Sequence, residues 1–144
     1  MNTRQSRTFP TLTSLRNDVY TLATPQGRRV GDPGHDAARH YLIQRLTGCN
    51  LAPYTGNSFE LAYDGGSDGT MTNLVGVLTG SDPSLPPLLL GAHYDTCGAL
   101  PGADDNAAAV AAVLAAVEPL RQLALKRSVI IALFDGEEPP HFQT

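Results

Sequence analysis

Leu12, Leu15, Val19 and Leu22 recur at three- and four-residue steps, the spacing of one apolar helix face. Thr11 or Thr13 can cap the start of this helix, and Pro25-Gln26-Gly27 ends it. A second helix is predicted from about Asp36 to Thr47, with Asp36 as N-cap and Gly48 as its stop. Ala38, Tyr41, Leu42 and Leu46 form its buried face. Ser58 to Tyr63 and Asn73 to Thr79 read as strands, and the turn-rich Asp64-Gly65-Gly66-Ser67-Asp68-Gly69 between them predicts a hairpin. Leu88-Leu89-Leu90-Gly91-Ala92 follows Pro86-Pro87 as a continuous apolar run, the pattern of a strand covered on both faces. Asp105 or Asn106 opens an alanine-rich helix from Ala107 to about Leu123, which Pro119 bends or ends early. Val129-Ile130-Ile131-Ala132-Leu133-Phe134 is a second continuous apolar strand. Strand, loop, long helix and strand make a βαβ unit with parallel strands.

The class is therefore α/β, and 144 residues allow one ordinary domain. An apolar fraction of 42% with 17% charged residues reads as a folded chain. A net charge of -4 without a basic run argues against nucleic acid as a partner, and no stretch is long and apolar enough to cross a membrane. The polar start Met1 to Pro10 lacks the apolar core of a secretory signal. Cys49 and Cys97 do not form a disulfide framework. Both features favour a cytoplasmic setting. The sequence stops at Glu138-Pro139-Pro140-His141-Phe142-Gln143-Thr144 with no closing helix or strand. The expectation is that residues 1–144 are the N-terminal portion of a single, incomplete catalytic domain.

Ligands of an open parallel sheet bind beyond the carboxyl ends of its strands, and the polar residues gather there. One apolar strand ends in His93-Tyr94-Asp95-Thr96 and the other in Asp135-Gly136-Glu137-Glu138. Pro101-Gly102-Ala103-Asp104-Asp105-Asn106 lies between them, at the start of the helix. Imidazole and carboxylate are suitable zinc ligands. Asp95 lies on the same side of an extended chain as His93 and can orient its ring. Of Glu137 and Glu138, one can hold a metal while its neighbour takes a proton from water. Singly these signals are weak, because Asp104 and Asp105 could cap a helix and Glu137-Glu138 could be a solvated pair. Their order and common rim position point to a metal site.

Gly91-Ala92-His93-Tyr94-Asp95-Thr96, Pro101-Gly102-Ala103-Asp104-Asp105-Asn106-Ala107 and Phe134-Asp135-Gly136-Glu137-Glu138 together resemble the zinc aminopeptidases of metallopeptidase family twenty-eight. This family includes bacterial leucyl aminopeptidases and aminopeptidase Y. The resemblance runs from about Asn73 to the C-terminus. It implies a three-layer αβα fold with a mixed, largely parallel sheet, and cleavage of N-terminal residues from peptides through a metal-activated water. By the same resemblance His93 and Glu138 bind zinc, Asp105 bridges two zinc ions, Glu137 is the general base and Asp95 is the partner of His93. The Asp105–Asn106 peptide bond is expected to be cis.

Two departures stand out. Asn106-Ala107-Ala108-Ala109 replaces the usual Asn-Ala-Ser-Gly. The family's further Asp and His ligands have no counterpart, since His141 follows Glu138 too closely to serve. The isolated chain is therefore expected to be poorly stable and to have little or no peptidase activity. The alternatives are a glutaminyl cyclase, which has a related fold, and a non-catalytic fragment or interaction module. Tyr94 is a candidate pocket residue, His35 a helix-start polar residue and His40 a surface residue. Cys49 and Cys97 read as structural thiols, and the loop at Gly65-Gly66 reads as a plain turn.

Overall fold

The computed structural model describes residues 12–66 and 69–141. Its helices are α1 (Leu12–Leu22), α2 (Pro33–Gly48) and α3 (Ala108–Arg121). Its strands are β1 (Ala52–Pro53), β2 (Glu60–Asp64), β3 (Thr70–Leu78), β4 (Leu88–His93) and β5 (Val129–Phe134). Among the described residues, no helix is long and apolar enough to cross a membrane.

Helix α2 starts earlier than the pattern predicts. Asp32 is its N-cap residue and Pro33 its first helical residue, while Asp36 sits in the first turn. Proline suits this position because its φ is already helical and the missing N–H would have no partner there. The helix also runs through Gly48 to a cap at Cys49. The left-handed turn falls on Asn50, at φ 52°, since asparagine tolerates that region. In α1, Leu22 is buried, Leu15 and Val19 are half-buried, and Leu12 is exposed. A cap from Thr11 lies outside the described residues.

The sheet is mixed. Its order is β1-β3-β5-β4, with β2 also paired to β3. Strands β2 and β3 form the expected antiparallel hairpin, in register from Glu60 opposite Leu74 to Asp64 opposite Thr70. Ser67 and Asp68 of its turn lie outside the described residues. Strand β1, too short to be read from the sequence, pairs antiparallel with β3 at Ala52 opposite Val77. Strand β3 is antiparallel to β5. Strands β4 and β5 are parallel, from Leu88 beside Val129 to His93 beside Phe134, with α3 as their crossover.

Leu74, Ile131 and Leu133 of the central strands pack with Leu42 and Leu46 of α2 and with Val110, Leu114 and Val117 of α3. Helix α1 lies against α3, and α2 packs on β3. This is the expected α/β arrangement of a mixed sheet with packed helices. Strand β4 departs from the expectation of cover on both faces: Leu88 is 53% exposed and Leu89 56%. The reason is position. Leu88 opens β4 on the face it shares with Leu90 and Ala92, along which burial deepens from Leu88 to Ala92, while Leu89 lies on the opposite face of a strand that ends the strand order among the described residues.

Candidate metal centre

Parallel pairing brings the carboxyl ends of β4 and β5 to one rim. Tyr94 extends the ladder past His93 by donating its N–H to the Phe134 carbonyl at 2.8 Å. His93 Nε2 lies 3.0 Å from Asp105 Oδ1 and 3.5 Å from Glu137 Oε2. Potential ligand atoms of His93, Glu137 and Glu138 lie within 4.8 Å of one another. The structure thus brings His93, Asp105, Glu137 and Glu138 together.

Asp95 is fully buried beneath them. Its Oδ1 accepts the Glu137 N–H at 3.2 Å, and its Oδ2 accepts the Glu138 N–H at 2.9 Å. The same carboxylate lies 3.4 Å from His93 Nδ1. Asp95 therefore supports the backbone of the two glutamates as well as facing the imidazole.

Asp105 stands on an irregular turn, Ala103–Ala107, and its peptide bond to Asn106 is cis. The turn follows Gly102, which has a left-handed φ of 56°. A Cβ at Gly102 would fall 2.4 Å from the Asp105 carbonyl oxygen and 2.4 Å from Thr96 Cγ2, so only glycine fits there. Neither Asp104 nor Asp105 caps a helix with its side chain. The Asp105 side chain is 75% exposed. It opens on a cleft of about 460 Å³ lined by Cys97, Leu100, Pro101, Asp104 and Glu138.

One imidazole nitrogen facing several carboxylates is a donor set that suits zinc. His93 Nδ1 is buried without a hydrogen bond and lies 3.4 Å from the Asp95 carboxylate, the kind of group to which a metal-bound histidine gives its second ring N–H. Burial, followed by the negative charge of Asp105, holds the Glu138 carboxyl above its ordinary range. Among the described residues, no Lys or Arg forms an ion pair with Asp105, Glu137 or Glu138. A divalent cation would supply the missing positive charge, so the residues fit the group.

Other residues behave differently from the sequence reading. Tyr94 is fully buried and donates its hydroxyl to the Thr72 carbonyl at 2.8 Å. It is a core residue and not a pocket wall, because the side chain after His93 alternates to the inner face. His35 does occupy the start of α2, yet it is buried. Its Nε2 lies 2.7 Å from Asp135 Oδ1, and its ring stacks on Tyr94 with centroids 5.1 Å apart. Asp135 Oδ2 accepts the Thr72 N–H at 2.8 Å. Burial pushes the Asp135 carboxyl up, but the hydrogen bonds from His35 and Thr72 outweigh it and leave the group below its ordinary range. His40 is a surface residue whose Nδ1 lies 2.7 Å from the Asp36 carbonyl. Cys49 and Cys97 are free thiols.

Arg28 is the other residue that sequence reasoning missed. It is 1% exposed and directs its guanidinium at backbone carbonyls around the site. The available signal was the pair of glycines, Gly27 and Gly34, bracketing it in a short loop.

Residues 73–141 match the sequence profile of Peptidase family M28. A vacuolar membrane protease from Clavispora lusitaniae is 38% identical over 78 residues, covering 54% of this chain and 8% of that protein. The uncharacterized protein YfbL from Escherichia coli is 37% identical over 67 residues, covering 41% and 21% respectively. Among solved structures, a Zn-dependent exopeptidase from Parabacteroides distasonis superposes with a TM-score of 0.72 at 23% identity, covering 96% of this chain and 52% of that one. Porphyromonas gingivalis glutaminyl cyclase gives 0.69 at 23% identity, covering 88% and 45%. At these identities the likeness shows the fold alone. The chain spans about half the length of these structures and a smaller share of the curated relatives. Residues 73–141, which hold His93, Asp105, Glu137 and Glu138, thus carry the signature of Peptidase family M28 on a fold shared with zinc-dependent exopeptidases and glutaminyl cyclases.

Proposed function

We propose that this chain carries catalytic residues of a zinc-dependent exopeptidase that removes N-terminal residues from peptides. His93, Asp105 and Glu138 would hold zinc, with Asp105 shared between two ions. Bound zinc supplies Lewis acidity, which lowers the pKa of water and polarises a carbonyl. Glu137 is the general base: its exposed carboxylate, 3.5 Å from His93 Nε2, can accept a proton and return it to the leaving amine. Asp95 faces the ring of His93 and holds the main chain of both glutamates by hydrogen bonds. The free thiols of Cys49 and Cys97 suit a reducing, cytoplasmic compartment.

The observation that carries this reading is the convergence of Asp105, Glu137 and Glu138 on His93. The match to a peptidase family supports hydrolysis. The glutaminyl cyclase reading draws on fold likeness to such enzymes, but the Asp104-Asp105-Asn106 word fits the two-zinc peptidases better. Incubation of the zinc-loaded protein with a peptide beginning with Gln separates the two. Release of a free amino acid, even at the low rate expected of this chain, supports the peptidase. Release of ammonia, with the peptide left intact, supports the cyclase.

A further inference from the structure

We infer that residues 27–35 form a clamp that presets the metal cradle, with Arg28 as its principal positioning residue. This inference rests on the zinc reading above and concerns how the chain holds the ligands before metal arrives.

Arg28 makes an unusual set of contacts for a buried cation. Its Nε donates to the Tyr94 carbonyl at 2.7 Å. Its Nη1 donates to the carbonyls of Leu22 at 2.8 Å and Pro101 at 2.7 Å, and its Nη2 to that of Gly102 at 3.0 Å. Its main chain pairs with Thr96: the Arg28 N–H reaches Oγ1 at 2.6 Å, and its carbonyl accepts the Thr96 N–H at 3.2 Å. No carboxylate lies within ion-pair distance of this guanidinium among the described residues.

These acceptors have a common geography. Tyr94 sits between His93 and Asp95, and Pro101-Gly102 leads directly into the turn that bears Asp105. One planar cation therefore fixes the distance between the segment holding His93 and the segment holding Asp105. The turn has no side-chain cap at its start, and Asp105 is largely exposed. Its position depends on the carbonyls behind it.

The rest of the clamp follows the same logic. A Cβ at Gly27, whose φ is 69°, would fall 2.7 Å from the Leu100 carbonyl and 2.8 Å from that of Gly98. A Cβ at Gly34 would fall 2.1 Å from the Gly27 carbonyl. Glycine at both places lets the loop close against the 98–100 backbone and lets α2 start directly behind it. At the far end His35 grips Asp135, the first residue of the segment that ends in Glu137-Glu138. Each of the three chemistry-bearing segments is thus supported by residues 27–35, which lie outside the family match at 73–141.

A lysine cannot reproduce this arrangement, since a single ammonium does not span carbonyls on several sides. The test is zinc affinity of the 144-residue chain, measured by competition with a chromogenic chelator, with the visible spectrum of the Co²⁺ form as a second readout. Arg28→Lys is expected to weaken zinc binding about 10- to 100-fold, the usual effect of losing an outer support of metal ligands, and to alter the Co²⁺ bands. Arg16→Lys, on the exposed face of α1, is expected to change neither. Thr96→Val keeps the shape and removes the bond from the Arg28 N–H, together with the longer one from Oγ1 to the Gly98 carbonyl, for an expected loss of about five-fold. It decides the matter if Arg28→Lys does not fold. Folded Arg28→Lys with wild-type affinity and spectrum overturns the clamp alone, as does unchanged Thr96→Val where the first variant is unfolded. Wild-type protein that binds no zinc overturns the metal reading and the clamp with it.

Discussion

Asp95 holds Glu138 by its main chain: Oδ2 accepts the Glu138 N–H at 2.9 Å while Oδ1 lies 3.4 Å from His93 Nδ1. A fully buried carboxylate thereby connects the end of β4 to the loop after β5. Burying such a charge is costly unless hydrogen bonds satisfy it, and the N–H groups of Glu137 and Glu138 do so. The relative position of the imidazole and the two glutamates is therefore tied to this carboxylate.

Asp95→Asn preserves shape but gives one side-chain position a donor, which faces a backbone N–H or the imidazole. Zinc affinity should fall about 10- to 100-fold. Stability should fall by about 1–3 kcal/mol, the cost of leaving a buried polar group unsatisfied. Chelator competition and urea unfolding measure the two effects, and an unchanged variant in both would remove Asp95 from its assigned role.

Asp105 offers the opposite case. Its side chain is exposed, so Asp105→Asn should leave apo-protein stability within about 0.5 kcal/mol of wild type while strongly reducing zinc binding. Unfolding curves taken with and without zinc separate these effects. Equal zinc-induced stabilisation of variant and wild type would show that Asp105 is no ligand.

The His35–Asp135 pair predicts a contribution to stability that acid removes. The Asp135 carboxyl is pushed up by burial, but hydrogen bonds from His35 and Thr72 bring it below its ordinary range. A depressed folded pKa means that the unfolded chain binds the proton more readily. Its stabilising contribution is complete above the ordinary Asp range, about pH 4, and is lost as pH falls through the depressed value. Urea midpoints of the apo protein should decline across that acid window, and Asp135→Asn should show a shallower decline. Parallel curves would contradict this assignment.

Much of the fold was legible because its strongest signals are local. The run Val129–Phe134 is β5 with the bounds read from the sequence, and the hairpin and βαβ unit follow from apolar periodicity and turn residues. The convergence of His93, Asp105 and Glu138 was legible because His93 ends β4, Glu138 follows β5 and Asp105 lies on the turn just before α3. What escaped depended on distant partners. Arg28 bonds to Tyr94 across 66 residues, and His35 bonds to Asp135 across 100. A carbonyl acceptor leaves no mark on residue type, so no local pattern announces such contacts. The exposure of Leu88 and Leu89 likewise depends on which strands lie beside β4, not on the apolar run itself.

The central claim is that His93 and the carboxylates around it form a zinc site. Its most direct test is an equilibrium zinc titration of the wild-type chain and of His93→Ala, read against a competing chelator. Saturable binding by the wild type, weakened more than about 100-fold in His93→Ala as expected for loss of a direct ligand, is the predicted result. No binding by the wild type, or equal binding by the two proteins, would contradict it.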